Sequence, residues 1–202
     1  MAAFAPVPAQ PLTTTQAGSP LPDPELVLAV DVGGTKMAAG LVGVDGSLCS
    51  ASQVPTPPGR EAGSVWSALA GLVERVAAAS GSGRSVISCG VGCGGPMAAD
   101  GELVSPLNIP AWRSFPLRRR LSELTGLPTY VDNDAKAFAL GEGWRGAAAG
   151  RSNFLGMVVS TGVGGGLVVD GRLLDGRVGN AGHVGHVVVE PDGRPCSCGG
   201  RG

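Results

Sequence analysis

A buried strand that breaks into two glycines and a threonine constrains this chain more than any other stretch. The apolar run Leu26–Val30 leads into Asp31-Val32-Gly33-Gly34-Thr35-Lys36, after which a second apolar run ends at Val44. Glycine leaves backbone N–H groups open to a phosphate, and a carboxylate at the mouth of such a turn can face the metal ion that accompanies phosphate. The stretch therefore predicts either a phosphate-binding turn, with Asp31 toward the metal, or an ordinary hairpin.

The second half of the chain repeats this arrangement. A predicted buried strand over about residues 154–160 runs into Thr161-Gly162-Val163-Gly164-Gly165-Gly166, which predicts a second glycine turn before a strand over 167–170. Two such turns would clamp the phosphates of a nucleotide through backbone N–H and hydroxyl hydrogens. Two tight hairpins of a glycine-rich sheet are the alternative. Neither turn is a Walker loop, because Lys36 follows Thr35 without the spacing of that motif.

Hydrophobic periodicity predicts an α/β chain. An antiparallel meander of three strands occupies about residues 26–54, and the helix after it has a core face made of Val65, Leu69, Leu72 and Val76. The elements predicted next are a strand over 86–92, a helix over 116–125, a strand at Tyr130-Val131, a helix from Asp134 and a strand over 187–190. Residues 1–24 are rich in Ala, Pro and Thr without periodicity, which predicts a disordered leader.

Composition argues against several classes of partner. Charged residues make up 15% of the chain and the net charge is -1, which leaves no electrostatic footprint for nucleic acid or an anionic membrane. No apolar run approaches the roughly 20 residues that span a bilayer, and Met1–Asp23 lacks a basic start followed by an apolar core. We therefore expect a cytoplasmic protein that binds neither nucleic acid nor membrane.

The cluster Asp132-Asn133-Asp134 lies where a predicted strand ends and a predicted helix begins. Phosphoryl transfer needs a carboxylate that accepts a hydroxyl proton, and Asp134 is the candidate. Asn133 beside it can hydrogen-bond a polyol while remaining uncharged. The alternative is that Asp132 or Asn133 simply caps the helix. Asn108, in the loop Leu107–Trp112, is either a second polyol contact or a turn former.

The last twenty residues carry His183, His186, Cys196 and Cys198. His186 and the Cys-x-Cys pair resemble three ligands of a structural zinc site, for which a fourth thiolate is usual. Thiols without a metal are the alternative, and His183 taken alone fits a loop histidine. Because the chain stops in mid-loop at Gly202, we expect it to be truncated.

Together these motifs resemble the ROK family of bacterial sugar kinases, which includes glucokinases, N-acetylglucosamine and N-acetylmannosamine kinases, and repressors. The resemblance covers about Leu26–Gly202, and the motifs stand in family order. In that order they are the first phosphate loop Asp31–Lys36, the sugar-contacting loops Gly94–Pro96 and Leu107–Trp112, the catalytic segment Val131–Ala135, the second phosphate loop Ser160–Gly166, and the zinc signature Gly185-His186 with Cys196–Gly199.

The resemblance implies an α/β actin-like ATPase (ribonuclease H-like) fold, in which two lobes close around a cleft that holds sugar and ATP. Residues 25–130 would form the N-terminal lobe, and residues 131–202 the start of a C-terminal lobe that is incomplete in this chain. The implied reaction transfers the γ-phosphate of ATP to a hexose hydroxyl, usually at C6 of glucose or an N-acetylhexosamine. A homo-oligomer is implied for the whole protein.

The resemblance also assigns roles to residues. The implied general base is Asp134, with Mg²⁺ on the phosphates near Asp31. The implied sugar contacts are Gly95, Asn108, Asn133, Asp134, His183 and His186. The implied ATP contacts are Asp31, Gly33, Gly34, Thr35, Lys36, Thr161, Gly162, Gly164 and Gly165. The implied ligands of a structural Zn²⁺ are His186, Cys196 and Cys198.

Two departures from the family pattern bear on these expectations. The family commonly has Glu-x-Gly-His where this chain has His183-Val184-Gly185-His186, so a histidine replaces the usual glutamate contact at the anomeric end of the sugar. The chain also stops before the family's third cysteine, so we expect an incomplete zinc site and question turnover by this chain alone. The alternatives are a non-catalytic sugar-binding fragment and a ROK-type transcriptional repressor that lacks its DNA-binding domain. The sequence does not decide which hexose is the substrate, or whether ATP or polyphosphate is the phosphate donor.

Overall fold

The computed structural model describes residues 25–81, 83–160, 162–177, 179, 181–196 and 198–202. The predicted leader, residues 1–24, and the predicted phosphate contact Thr161 lie outside these ranges. Within them, no helix is both long enough and apolar enough to cross a membrane.

A five-stranded sheet forms the first half of the described chain. Its strands are β1 Glu25–Val32, β2 Lys36–Gly43, β3 Leu48–Pro55, β4 Ser85–Cys93 and β5 Thr129–Asn133. The order is β3-β2-β1-β4-β5, with β1 to β3 antiparallel, as the sequence predicted, and β4 and β5 parallel to β1. Because parallel strands end at the same edge of a sheet, Asp31, Gly92 and Asp132 lie side by side in one register row.

Three α-helices and two short 3-10 helices accompany the strands. They are α1 Ala62–Ala78, the 3-10 turn Ala99–Gly101, α2 Leu117–Thr125, α3 Asp134–Arg145 and the 3-10 turn Val184–His186. The predicted core face of α1 is confirmed, since Val65, Leu69, Leu72 and Val76 are all buried. Helix α2 ends where predicted, at Gly126, whose φ of 69° suits a left-handed C-cap.

A second, three-stranded sheet consists of β6 Phe154–Val159, β7 Val163–Val169 and β8 Arg172–Leu173, in that order. The prediction of a glycine turn over 161–166 is wrong in its extent, because β7 begins at Val163 and contains all three glycines from 164 to 166. Helix α3 lies against this strand. A Cβ on Gly164 would stand 2.8 Å from the Cβ of Ala135, and one on Gly166 would stand 2.6 Å from the Cβ of Ala139. These glycines thus make room for a helix rather than a turn.

The predicted strand over 187–190 is also wrong. After the 3-10 turn Val184–His186 the chain forms bends and turns. The backbone N–H groups of Val189 and Glu190 donate to the carbonyl oxygen of Gly202, at 2.7 and 3.1 Å. The apolar run Val187-Val188-Val189 misled the prediction, because these side chains stay exposed instead of packing in a sheet.

Helix α3 connects the two sheets. It contacts β4 and β5 of the first sheet and β6 and β7 of the second. The boundary predicted between residues 130 and 131 falls inside β5, which pairs with β4. The division into two lobes stays a prediction, and the segment Val131–Ala135 stands where the two sheets meet.

We expect Gly166→Ala to lower the free energy of unfolding by about 1–3 kcal/mol, because the new methyl would overlap Ala139 and the Cα of Lys136 at 2.6 and 2.9 Å. The matched control is Gly90→Ala in β4, where a Cβ would meet no atom within 4 Å. That variant should keep its stability or gain up to about 1 kcal/mol. Urea denaturation of both measures the difference, and equal midpoints would contradict the close packing of α3 on β7.

Candidate active site

The carboxyl ends of β1, β4 and β5 bring two carboxylates together. Asp31 is the next-to-last residue of β1, and Asp134 begins α3 directly after β5. A Cβ on Gly92, which pairs with Asp31, would stand 3.4 Å from the Cα of Asp134, so nothing bulky separates the two segments. Asp31 keeps an exposed surface, yet partial burial and the charge of Asp134 raise its pKa, and Lys36 lowers it in part. The site therefore holds excess negative charge.

The first glycine turn is fixed from two sides. Within the turn the N–H of Gly33 donates to the carbonyl oxygen of Lys36 at 3.1 Å. Thr56, just after β3, donates its hydroxyl to the carbonyl oxygen of Gly33 at 2.6 Å and its N–H to that of Thr35 at 3.0 Å. The side chains of Thr35 and Lys36 remain exposed at the mouth of the turn.

Asn108 lies between the first glycine turn and the end of β4. A Cβ on Gly34 would stand 2.6 Å from the Cβ of Asn108, and one on Gly94 would stand 3.4 Å from its Oδ1. A Cβ on Gly34 would overlap this side chain, which is itself exposed, whereas one on Gly94 would meet it at ordinary van der Waals distance. The structure thus brings the predicted sugar contact Asn108 against the predicted phosphate turn.

The loop that carries Asn108 is anchored by its neighbours. Ile109 and Trp112 are buried, and the Trp112 ring stacks on Phe115 with 4.2 Å between centroids. The Nη1 of Arg113 donates to three carbonyl oxygens of the same loop, at 2.6 to 3.2 Å. These contacts hold the loop in one shape, so the position of Asn108 is set by packing.

The start of α3 confirms the capping interpretation of the acidic cluster, while the role of Asp134 as base stays a prediction. Asn133 caps the helix, since its Oδ1 accepts the N–H of Ala135 at 3.0 Å, and Asp132 Oδ1 accepts the N–H of Asn133 at 2.7 Å. Asp134 Oδ1 also accepts the Ala135 N–H, at 2.9 Å, while the residue stays exposed. Asn133 therefore has a structural role, and Asp134 is the carboxylate at the helix N-terminus that remains accessible.

His183 reaches the same place from the distant loop after β8. A Cβ on Gly95 would stand 3.9 Å from its Cε1, and the imidazole is half-buried. Burial, then the charges of His186 and Lys136, lower the pKa of His183, with Asp134 and Asp132 acting the other way. The ring is therefore neutral at pH 7, with one nitrogen that donates and one that accepts a hydrogen bond.

His186, Cys196 and Cys198 form a second cluster. One ligand atom from each lies within 4.8 Å of the others, and all three side chains are exposed. The N–H of Gly200 donates to Cys198 Sγ at 3.4 Å, and the N–H of Cys196 donates to the carbonyl oxygen of Gly200 at 2.9 Å. One nitrogen and two sulfur donors make a set that suits Zn²⁺. The ring centroids of His183 and His186 are 6.1 Å apart, so the cluster adjoins the first site.

The second glycine turn is short. The N–H of Ser160 donates to the carbonyl oxygen of Gly162 at 2.9 Å, and Gly162 is exposed with space around it. Gly165 is buried in β7, where a Cβ would stand 2.9 Å from the carbonyl oxygen of Gly182. Phosphate binding by Gly162, Gly164 and Gly165 stays a prediction, and the last two lie in a strand.

Sequence reasoning missed several residues that shape the site. Cys93 closes β4 beneath the carboxylates, where burial and the charges of Asp134 and Asp31 raise its pKa to about 12 and keep the thiol protonated. Lys136 is buried in the first turn of α3 and donates to Asp175. A lysine two residues after Asp134 was the visible signal, but its burial depends on packing that the sequence does not display.

Comparisons with known proteins agree with this geometry. The ROK family pattern matches residues 27–202. An N-acetylmannosamine kinase of Escherichia fergusonii is 40% identical over 177 residues, with 87% of this chain and 58% of that protein covered. A glucokinase of Streptomyces coelicolor is 36% identical, with 88% of this chain and 54% of that protein covered. The chain therefore spans about half the length of the curated relatives it matches.

A solved structure extends the likeness to the fold. The ROK family glucokinase from Streptomyces griseus, in complex with glucose and AMPPNP, superposes with a TM-score of 0.78 at 36% identity. The superposition covers 88% of this chain and 55% of that one. The predicted α/β actin-like ATPase fold is thus confirmed for the part of the chain described. Since the family pattern runs from residue 27 to residue 202, the chain belongs to the ROK family.

Proposed function

We propose that the whole protein is an ATP-dependent sugar kinase that phosphorylates a hexose hydroxyl, C6-OH of glucose or of an N-acetylhexosamine. One observation carries the proposal: Asp31, Asn108, Asp134 and His183 come from four separate segments and meet at the carboxyl ends of β1, β4 and β5. Ligands bind at that edge in open α/β sheets. The kinase relatives and the solved glucokinase support phosphoryl transfer to a sugar as the reaction.

The sugar would lie between Asn108 and His183, above Asp134. Amides, a neutral imidazole and backbone groups at Gly95 can donate to and accept from several hydroxyls without a net charge, which suits a polyol. Asn133, as the helix cap, would contribute through the backbone it fixes and through the free part of its amide. His186 would use one ring nitrogen for the sugar and the other for zinc, which fixes its tautomer.

Asp134 would act as the general base. Its carboxylate accepts the proton of the hexose hydroxyl, the hydroxyl oxygen forms a bond to the γ-phosphorus, and the bond from that phosphorus to the β,γ-bridging oxygen breaks to release ADP. Gly92 carries no side chain beside Asp134, and Asp134 is exposed, so a hydroxyl could come within hydrogen-bond reach of it. Cys93 stays a thiol below the site and takes no proton.

The anionic phosphates would meet the first glycine turn. Gly33, Gly34, Thr35 and Lys36 offer N–H, hydroxyl and ammonium donors there, and Gly162 would add a backbone N–H from the segment before β7. Asp31 would hold Mg²⁺, which when bound neutralises phosphate charge. The donor set fits a divalent cation, because the repulsion from Asp134 that raises the pKa of Asp31 is relieved by one. Residues 25–130 and 131–202 would be the two lobes that close on the ligands.

We expect Asp134→Asn in the whole protein to lose on the order of 10²-fold or more of kcat, with the sugar KM changed far less, because the amide cannot accept the proton. A coupled ADP assay measures it. The control is Asp100→Asn, the same change at an exposed carboxylate outside the site. Wild-type kcat in Asp134→Asn would refute the assignment of the base.

The same variant has a readout that does not need turnover. The pKa of Asp31 should fall in Asp134→Asn, because the negative charge that repels the Asp31 carboxylate is gone.

Substrate choice should depend on His183. We expect a panel of hexoses to reveal one preferred sugar, and we expect His183→Glu to change the ratio of kcat/KM between two sugars that differ at C1 or C2 by about 10-fold, near 1.4 kcal/mol. The reason is that a fixed carboxylate only accepts hydrogen bonds, whereas the neutral imidazole also donates one. The KM for ATP serves as the internal control. An unchanged sugar ranking would place His183 outside the sugar site.

Zinc should bind to the whole protein and weakly or not at all to the 202-residue chain. His186, Cys196 and Cys198 supply three ligands, whereas structural zinc sites are almost always four-coordinate. Zinc content after dialysis, measured by atomic absorption, and a Cys198→Ser control test this expectation. Tight stoichiometric zinc in the chain itself would show that it holds a fourth ligand.

A further inference from the structure

Lys136 is a buried charge for which the proposed chemistry has no use. Its side chain is 1% exposed, and within the part of the chain that the structure describes it is the only buried charged side chain. Its Nζ lies 2.8 Å from Asp175 Oδ1 and 3.6 Å from Asp132 Oδ1. Since a buried ammonium is tolerated only with partners, these two carboxylates explain how a lysine can occupy this position.

The two carboxylates belong to different segments. Asp132 lies in β5, immediately before the catalytic segment. Asp175 follows β8, and its side chain is 64% exposed, so water alone would satisfy it. Lys136, two residues after Asp134 on the same helix, therefore fixes an otherwise free aspartate to the helix that carries the base.

Asp175 begins the segment that leads to His183, and we call its described residues, 175–177, 179 and 181–183, the His183 loop. The carbonyl oxygen of Asp175 accepts the N–H of Ala181 at 3.1 Å, which brings the two ends of the loop together. Gly182, with φ of 89°, then packs on β7, where a Cβ would stand 2.8 Å from the carbonyl oxygen of Gly165. At the end of the loop His183 meets Gly95. Asp175 is thus an anchor of the loop, and Lys136 holds that anchor.

We propose that Lys136 is a positioning residue whose ammonium, through Asp175, holds the His183 loop so that His183 lies against Gly95 in the sugar site. The inference rests on the proposed function for the identity of the ligand, a hexose. The tether from α3 to the His183 loop does not depend on the proposed function, because its evidence is the ion pair between Lys136 and Asp175. Lys136 would then govern sugar affinity without touching the sugar.

The tether can be tested without turnover, by trypsin cleavage after Arg177, an exposed residue inside the His183 loop. In the whole protein, Lys136→Met keeps an unbranched side chain in the buried channel and removes the charge. We expect cleavage after Arg177, followed by mass spectrometry, to become about 10-fold faster, because local opening sets the rate. The control Asp170→Asn, at the β7–β8 turn, should cleave as the wild type does.

Asp175→Asn is the second variant, in case Lys136→Met does not fold. It leaves Lys136 its Asp132 partner and weakens only the tether, so it should also speed cleavage after Arg177. If every variant that folds is cleaved at the wild-type rate, the tether is overturned. This result does not depend on whether the protein phosphorylates a sugar.

The link to the sugar site is tested by kinetics. In Lys136→Met we expect the hexose KM to rise about 10-fold, with kcat and the KM for ATP within twofold, as for a residue that orients a contact residue. In His183→Ala the sugar KM should rise as well, and adding Lys136→Met should raise it no further. Additive effects, or equal loss for ATP, would show a merely structural role and overturn the proposal. A wild-type protein that phosphorylates no hexose would refute the proposed function, while the cleavage result still decides the tether.

Discussion

The fold depends on the close contact between α3 and glycines of β6 and β7, which have no side chains to hold the helix away. A Cβ on Gly156 or Gly166 would stand within 2.7 Å of the Cβ of Ala139, and one on Gly164 within 2.8 Å of that of Ala135. Glycine opposite alanine lets a helix approach a sheet more closely than any larger pair would. Because α3 also begins at the end of β5, this contact determines where Asp134 stands between the two sheets. Part of the glycine-rich composition of the chain thus has a packing cause.

Several carboxylates lie at one edge of the first sheet and repel one another, and nearby lysines reduce this repulsion. Lys36 offsets part of the charge of Asp31, and Lys136 pairs with both Asp132 and Asp175. Among the described residues no lysine forms an ion pair with Asp134, and Asp134 and Asp31 repel each other. This repulsion between two carboxylates would be relieved by a divalent cation. The arrangement separates structural acids from the acid available for chemistry.

Strands β1, β4 and β5 and helices α1 and α2 could be predicted from local sequence pattern, whereas the roles given to the site residues stay predictions. Apolar runs ended by Asp31 and by Asp132 showed two strands with carboxylates at their ends, and the heptad-like face of α1 was read from spacing alone. Local pattern failed where tertiary contact decides. The glycines from 164 to 166 look the same in a turn as in a strand under a helix, and the valines from 187 to 189 look like a strand although they are 59% to 85% exposed. Lys136 and Asp175 are 39 positions apart, so no local pattern could pair them.

The charged groups around His183 show how a histidine at this position differs from a glutamate. A glutamate there, as the family commonly has, would add a further carboxylate near Asp134 and Asp132, and its accepting oxygens would need hydroxyl donors from the sugar. The neutral imidazole adds no charge, because burial and the nearby cations lower its pKa. It can donate to an acceptor such as a ring oxygen or an acetamido carbonyl, which a carboxylate would repel. Under the proposed function, the substitution would alter the hydrogen-bond polarity offered to one end of the sugar, while the proposed base and the proposed phosphate turn stay in place.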